Sequence, residues 1–311
     1  MARGAKSRYD AVDGLLLLNK PPGMTSNRAL QTVRRLLRAK KAGHTGSLDP
    51  SATGMLPLCF GEATKVCAYL LDADKTYRVS ARLGSATSTG DADGSEVIET
   101  AEVPDLSAEE WDVILQGFLG ESMQVPPMYS ALKQDGKRLY ELARQGKTVE
   151  REARPIRIEA IELLEAAGAR LVFRVTCSKG TYVRTLVEDI ARRAGTVGHT
   201  VRLHRESVGP FRSEDMQDLT AVEAGAEADL EGLRAGLLGS DVALGGLPAV
   251  EIGPDEAERF SGGQAVQVGA GAAEGLVRVY RADQIFVGVG ELSRDGTLAP
   301  RRVFKSSEKT P

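Results

Sequence analysis

The chain of 311 residues is long enough for one large domain, or for a large and a small one. Its composition, 42% hydrophobic and 27% charged, is that of a soluble globular protein, and no run approaches the roughly 20 apolar residues of a membrane span. The net charge of −3 excludes a uniformly basic protein. Three cysteines at unrelated spacings, with no signal peptide ahead of them, exclude a disulfide framework and predict a cytoplasmic location.

Charge is unevenly distributed along the chain. Residues 1–43 hold ten Lys or Arg and two Asp, residues 133–212 are also positive, and residues 213–260 hold twelve acids and two arginines. A basic region can bind RNA in a protein of negative net charge, because the local field steers a polyanion. The same pattern fits ordinary solvated surface charge. Charge alone therefore leaves an RNA partner open.

The first 120 residues alternate between strand and helix patterns. The run "DGLLLLNKPPG" predicts a buried strand followed by a Pro-Gly turn. Ser26 or Asn27 is the predicted cap of a helix with Ala29, Leu30 and Val33 on one face and arginines on the other. After a loop come a predicted strand, helix, alternating strand and capped helix, at "MLPLCFG", "EATKVCAYLLDAD", "KTYRVSARLG" and "SAEEWDVILQGFLG".

The remainder begins with a polar, basic segment at about 125–154, which we predict to be a helical excursion or flexible flap. Strands follow at "IRIEAIELLEA" and "ARLVFRVTCS", and "KGTYVRTLVEDIARRAG" turns from the second strand into a helix. An Ala-, Gly- and acid-rich stretch ends near residue 246. Residues 247–304 have the composition of a small β-barrel or sandwich, and 305–311 form a predicted disordered tail. The pattern predicts a domain at 1–246 and a second at 247–304.

The loop "HTGSLDPSATGMLPL" carries one carboxylate, Asp49, with no second acid near it in the sequence. Asp-Pro is a favoured start of a type I turn, so this aspartate could be purely structural. It could also be a nucleophile or general base presented from a rigid loop. The residues alone leave both interpretations open.

Other catalytic patterns are missing from the sequence. His44, His199 and His204 are its three histidines, and a three-histidine metal site is formally possible, but no metal-ligand spacing supports one. The sequence contains no Gly-x-Ser-x-Gly elbow, P-loop or dinucleotide fingerprint. Hydrolase, kinase and dehydrogenase functions therefore lose their usual signatures.

The segment "SKGTYVRTL" places Arg184 in the first turn of a predicted helix, where the helix dipole disfavours a cation. A guanidinium in that position usually has a partner, and Asp49 is an attractive one, because the pair would keep the acid ionised. Tyr182 and Tyr77 could offer aromatic surface to a base, although each could equally be a core residue.

Several long motifs occur in the order typical of one enzyme family. The sequence "GHTGSLDPSATGMLPLCFGEATK" resembles the signature of the bacterial TruB-type tRNA pseudouridine-55 synthases. "LLLLNKPPGMTSN", "LLDADKTYRVSARLG", "PPMYSALKQDGKRLYELARQG", "REARPI" and "CSKGTYVRTLVEDI" are also similar to that family. The C-terminal run "EGLVRVY…GVGELSRDGTLAPRRVF" resembles its small RNA-binding PUA-type domain. The resemblance covers nearly the whole chain and is weakest between residues 213 and 246.

The resemblance implies an α+β fold, with a mixed, largely antiparallel central sheet flanked by helices and a small PUA-like β-barrel domain. It implies that uridine 55 in the T-loop of tRNA is flipped out of its stack and isomerised. Asp49 would be the nucleophile, paired with Arg184. The implied residues of the uridine pocket and its surroundings are His44, Tyr77, Tyr182, Leu203 and Lys20.

Isomerisation of uridine neither oxidises nor hydrolyses it, so the resemblance implies no cofactor and no metal. The expected partner is the T-arm stem-loop of tRNA, with no membrane, no obligate protein partner and a monomeric state. Two other functions remain as alternatives. One is an RNA-binding or RNA-folding factor. The other is a hydrolase with a carboxylate nucleophile, whose dehalogenase form would need an Asp-x-Asp motif and magnesium, neither of which "SLDPSA" indicates.

Overall fold

The computed structural model describes residues 9–93, 96–134, 136–269 and 274–305. The predicted disordered tail lies outside the described residues except for Lys305. The α-helices are α1 (Ser26–Leu36), α2 (Cys67–Asp72), α3 (Ala108–Gln116), α4 (Leu139–Ala143), α5 (Val183–Arg193), α6 (Leu219–Ala228), α7 (Leu230–Ala235) and α8 (Pro254–Ser261). Short 3-10 helices cover Gly61–Val66, Ser213–Asp215 and Ser240–Leu244.

The strands belong to one large sheet, one five-stranded sheet and two hairpins. They are β1 (Gly14–Lys20), β2 (Ala42–His44), β3 (Thr53–Phe60), β4 (Lys75–Leu83), β5 (Ser85–Thr87), β6 (Val97–Thr100), β7 (Gly120–Gln124), β8 (Lys133–Gln134), β9 (Lys137–Arg138), β10 (Arg154–Ala167), β11 (Arg170–Cys177), β12 (Gly198–Val208), β13 (Gln217–Asp218), β14 (Ala249–Ile252), β15 (Val266–Gln267), β16 (Gly275–Arg281), β17 (Phe286–Leu292) and β18 (Thr297–Val303).

The large sheet has nine strands in the order β13-β1-β3-β12-β4-β11-β10-β7, with β2 paired to β3. Its neighbours are antiparallel except for the parallel pairs β1–β13 and β12–β3. The predicted α+β class and the mixed, largely antiparallel sheet are therefore confirmed. The sheet joins the N-terminal strands to β10 and β11, so residues far apart in the sequence meet on one surface.

The helices cover one face of this sheet in two groups. Under β4, β10 and β11, helices α3 and α5 bury a core that includes Val79, Phe173 and Leu186. Under β1 and β3, helices α1 and α6 bury a second core on the same side. Between the two groups lies a row of neighbours across three strands, in which Tyr77 pairs with Arg205 and Arg205 pairs with Gly54. The gap between the helical groups therefore opens above this row.

The C-terminal strands form a curled sheet, a half-barrel, in the order β14-β16-β17-β18-β15. Helix α8 covers it and contributes Phe260 to its own core. The sheet also supplies Val289 and Phe304 to a core shared with Leu15 and Met55 of the large sheet. This shared core fixes the C-terminal sheet to the face of the large sheet opposite the gap between the two helical groups.

Several local expectations needed correction. Strand β12 lies at the centre of the large sheet but was not predicted, because its sequence "GHTVRLHRESV" carries charged side chains on both faces. The cap of helix α1 is Thr25, whose hydroxyl accepts the Arg28 N–H. Neither Ser26 nor Asn27 is the cap, contrary to the prediction. The segment 125–154 contains the hairpin of β8 and β9 and the short helix α4.

No helix in the described part of the chain is long and apolar enough to cross a membrane.

Candidate active site

Asp49 lies in the loop between the paired strands β2 and β3. The Ala52 N–H donates to the Asp49 carbonyl at 3.1 Å, which closes the turn that the Asp-Pro pair predicted. The Asp49 side chain is 37% exposed, at the edge of the gap between the two helical groups. Its carboxylate can therefore be reached from solvent while its backbone is held.

The backbone of this loop is fixed on both sides of Asp49. The Ser26 hydroxyl accepts the Leu48 N–H at 2.8 Å and donates to the Leu48 carbonyl at 3.2 Å. The fully buried Lys20 ammonium donates to the Pro50 carbonyl at 3.1 Å, and to the carbonyls of Pro21 and Met24 at 2.9 and 2.8 Å. Both flanking residues are thus tied to the chain that enters α1.

Arg184 lies in the first turn of α5 and holds the Asp49 carboxylate, as the sequence predicted. Its Nε lies 2.9 Å from Asp49 Oδ2, and its Nη2 lies 3.3 Å from Oδ1. The same guanidinium donates to the carbonyls of Thr89 and Tyr129, each at 2.7 Å. Because its planar fork is occupied on three sides, Arg184 can hold the carboxylate in only one orientation.

Asp49 has acidic neighbours in space, although none lies near it in the sequence. Asp91 Oδ2 lies 3.7 Å from Arg184 Nε, so the two carboxylates share one guanidinium. Burial raises the pKa of Asp49, the charge of Arg184 opposes that rise, and Asp91 and Asp93 add to it. The net direction is upward, so the expectation that the arginine alone would favour the ionised acid was too simple.

The predicted pocket residues surround the same gap. Tyr77 on β4 and Leu203 on β12 are half-buried and pack against the core under α5. Tyr182 stands at the N-cap position of α5. Its backbone N–H donates to Gln124 Oε1 at 2.8 Å, and its carbonyl accepts from Gln124 Nε2 at 3.1 Å. The start of α5, and with it Arg184, is thereby tied to β7.

His44 ends strand β2 and is half-buried. Burial lowers its pKa, and the charge of Arg205 lowers it further, so the ring is neutral near pH 7. Its Nδ1 is buried and finds no hydrogen-bond partner within the described residues. The other two histidines lie elsewhere, since His204 contacts Thr53 at 2.8 Å and His199 contacts the Ser85 carbonyl at 2.8 Å.

Comparison with known proteins accounts for almost the whole chain. Residues 34–183 match the N-terminal domain of TruB family pseudouridylate synthases. Residues 184–245 match the C-terminal domain of tRNA pseudouridylate synthase B, and residues 248–304 match a C-terminal domain of pseudouridine synthase II TruB. The tRNA pseudouridine synthase B of Nitrosococcus oceani is 50% identical over 295 residues, covering 95% of this chain and 96% of that protein.

The chain belongs to the TruB family of pseudouridylate synthases. A second TruB relative, the tRNA pseudouridine synthase B of Chromohalobacter salexigens, is 48% identical over 309 residues, covering 99% of this chain and 98% of that protein. Pseudouridine synthases are isomerases, so membership of the TruB family makes the chain an isomerase.

Solved structures support the TruB-type fold. A chain in the crystal structure of a Cbf5-Nop10-Gar1 complex is 26% identical, with a TM-score of 0.73, and the match covers 95% of this chain and 86% of that one. A chain in the structure of an H/ACA RNP bound to a substrate RNA containing 2′-deoxyuridine also gives a TM-score of 0.73, at 24% identity and the same coverage. The second likeness shows the fold alone.

Sequence reasoning missed one buried residue at the centre of this TruB-family site. Arg205 is 1% exposed, and its Nε donates to the Met55 carbonyl at 2.6 Å. Its Nη2 donates to the Gly46 carbonyl at 3.2 Å, in the loop that carries Asp49. The only available signal was its spacing of two residues from Leu203, which places both on one face of a strand. That signal needed the strand itself to be predicted.

Proposed function

We propose that this chain converts uridine 55 in the T-loop of tRNA to pseudouridine, with Asp49 as the nucleophile. Relatives about 50% identical over nearly their full length are named tRNA pseudouridine synthase B, which supports tRNA as the substrate. The observation that carries the proposal for Asp49 is the rigid presentation of its carboxylate. Its backbone is held on both sides by Ser26 and Lys20, and its oxygens face Arg184 at 2.9 and 3.3 Å.

The reaction breaks the N1–C1′ bond, and the electron pair leaves with N1 of the uracil. The base then turns and forms a C5–C1′ bond, so one proton must leave C5 and one must arrive at N1. A single carboxylate can assist by attacking C1′, by removing the 2′ proton to give a glycal, or by attacking C6 of the base. All three routes need an ionised Asp49, and Arg184 favours that form. No redox cofactor or metal takes part in this chemistry.

The target uridine must leave its stack to reach Asp49, at a cost of a few kcal/mol. Tyr77 would stack on the flipped base, and its hydroxyl would take the C5 proton. Tyr182 and Leu203 would form the walls of the pocket and exclude water from the detached base. His44 is neutral, and its Nδ1 has no hydrogen-bond partner within the described residues. It would fill the space that the flipped uridine leaves in the RNA loop.

The role proposed for Lys20 differs from that of the other pocket residues. Its ammonium is fully buried and engaged by three backbone carbonyls, so it has no surface to offer a substrate. We therefore assign it to holding the loop at Pro50. The flap at about 125–154 and the exposed arginines of α1 would contact phosphates, and residues 247–304 would bind the rest of the RNA as a PUA-like domain.

The test is tritium release from an unmodified tRNA transcript labelled at C5 of its uridines. The wild-type protein should release tritium and Asp49→Asn should not, while both bind the transcript with similar affinity. Asp105→Asn, an exposed acid remote from the loop, is the matched control and should behave as wild type.

Turnover of Asp49→Asn within tenfold of wild type would remove the nucleophile assignment, because loss of a nucleophile costs far more than about tenfold. Tight tRNA binding by the wild type without any tritium release would instead favour an RNA-folding factor. Release from transcripts in which uridine 55 is replaced by cytidine would show that another uridine is the target.

A further inference from the structure

Arg205 is a buried cation without an acidic partner. It is 1% exposed, and none of the ion pairs in the described part of the chain includes it. The acids around it are engaged elsewhere, since Glu206 binds Arg174 and Asp49 binds Arg184. Removing a guanidinium from water is unfavourable unless its charge is used or compensated. Its two hydrogen bonds, to the carbonyls of Met55 and Gly46, satisfy donors but supply no negative charge.

The position of Arg205 places this charge below the uridine pocket. It lies directly beside Tyr77 on the neighbouring strand and two residues after Leu203, on the same face of the sheet. On its other side the chain passes so close to Gly54 that a side chain there would collide with the Arg205 backbone. The pairing of β12 with β3, together with the hydrogen bonds of Arg205 to Met55 and Gly46, holds the guanidinium beside the loop of Asp49.

Arg205 and Tyr77 face each other on the neighbouring strands β12 and β4. Burial raises the pKa of Tyr77, whereas the nearby charge of Arg205 opposes that rise. The other titratable groups that act on this tyrosine are Asp49 in the loop and Cys177 on β11, and both raise its pKa. Arg205 is thus the group that favours a negative charge on the tyrosine oxygen.

We propose that Arg205 is a positioning residue for Tyr77, holding a buried positive charge beside Tyr77 that stabilises negative charge on the phenolic oxygen during the proton exchange. Arg205 is the partner of Tyr77 in the β4–β12 pair, and no ion pair in the described part of the chain uses its charge. A neutral phenol that takes the proton from C5 must pass its own proton on, and the acceptor is N1 of the base, which needs one. A nearby cation stabilises the negative charge that develops on the phenolic oxygen during this exchange. The proposal rests on the proposed function, since it assigns Arg205 to the proton exchange of that reaction.

The contact itself can be tested without substrate. The chain has only seven tyrosines, so ¹³Cζ-labelled tyrosine should give a spectrum in which Tyr77 is identified by its loss in Tyr77→Phe. Arg205→Lys keeps a positive charge but loses the planar fork, and it should shift the Tyr77 resonance more than that of any other tyrosine. The control Arg202→Lys changes an exposed arginine on the opposite face of β12 and should leave that resonance in place.

A reciprocal measurement keeps the proposal falsifiable if Arg205→Lys does not fold. In ¹⁵N-arginine-labelled protein, Tyr77→Phe leaves Arg205 intact and should shift its guanidinium resonance. An unchanged Tyr77 resonance in folded Arg205→Lys, or an unchanged Arg205 resonance in Tyr77→Phe, would overturn the proposal.

The functional consequence is tested by a double-mutant cycle on the single-turnover rate with saturating tRNA. Arg205→Lys should lower the rate about tenfold with little change in tRNA affinity, less than the roughly 100-fold or more of a lost acid or base, because Arg205 acts only through Tyr77. In the Tyr77→Phe background the same substitution should change the rate less than about twofold, because the interaction is already lost. Equal losses in both backgrounds would show that Arg205 acts only by supporting Met55 and Gly46. Absence of isomerisation by the wild type would instead refute the proposed function, while the resonance shifts would still report on the contact.

Discussion

The loop that carries Asp49 and the flap at about 125–154 surround the same gap but are built in opposite ways. The loop is held by the buried side chains of Lys20, Ser26 and Arg205, each bonded to its backbone. In the described residues of the flap, only Pro126, Ser130 and Leu139 are buried, and most of its lysines and arginines face solvent. A reacting carboxylate has to be placed within a fraction of an ångström, whereas an element that grips RNA has to admit it.

Arg184 of α5 links the two regions. The Tyr129 carbonyl, at the start of the flap, accepts a hydrogen bond from Arg184, which holds Asp49. Gln124, just before the flap, is bonded to the backbone of Tyr182. We therefore expect substitutions of the side chains that hold the Asp49 loop to reduce the rate of isomerisation. Substitutions in the exposed part of the flap should instead reduce the affinity for tRNA.

The largest effect is expected from Lys20→Met. Three buried carbonyls lose their donor, which should lower the free energy of unfolding by about 1–3 kcal/mol. The displaced loop should lower the single-turnover rate by about 100-fold, because a shift of about 1 Å at a reacting group has that effect. Urea unfolding and tritium release measure the two quantities.

Lys40→Met changes an exposed lysine and is the control for stability. A rate for Lys20→Met close to that of the wild type would show that the loop does not depend on this support, and the contrast with the flap would then fail.

A smaller effect is expected from Lys137→Ala combined with Lys147→Ala, both exposed in the flap. Loss of two phosphate contacts should weaken tRNA binding about uniformly and reduce the slope of log Kd against log salt by about 2. The rate at saturating tRNA should not change. Filter binding at several salt concentrations measures the slope, and Arg170→Ala, on the opposite face of the sheet, is the control. A lower saturated rate with an unchanged slope would reverse the roles assigned to loop and flap.

The smallest effect is expected on the pH dependence of the rate. Burial raises the pKa of Asp49, and the charge of Asp91 raises it further. As pH decreases, the rate should therefore begin to fall at a higher pH than the pKa of an ordinary aspartate would give. Asp91→Asn should move this acidic limb to lower pH. Because the folded-state pKa lies above the unfolded value, ionisation of Asp49 opposes folding at neutral pH, so Asp49→Asn should keep or raise Tm. An acidic limb unmoved by Asp91→Asn would contradict the shared use of Arg184.

The sequence by itself determined most of the elements and the residues worth testing. Apolar periodicity predicted β1, α1, β4, β11 and α5, because each buries one face against a core. A cation in the first turn of α5 correctly indicated that Arg184 has an acidic partner, and the structure brings Asp49 to it across 135 positions of sequence. Loop chemistry also predicted the turn at Asp49, since Asp-Pro restricts the backbone locally.

Tertiary structure alone decided what surrounds those residues. Strand β12 has charged side chains that obscure its period, and its central place became visible only through its pairing with β3 and β4. Asp91 has no local signal, and the one for Arg205 depended on predicting β12, because their effects on Asp49 and Tyr77 act through space over long sequence separations. Local patterns report the conformation of the backbone, whereas the position and pKa of a catalytic group depend on neighbours that only folding brings within reach.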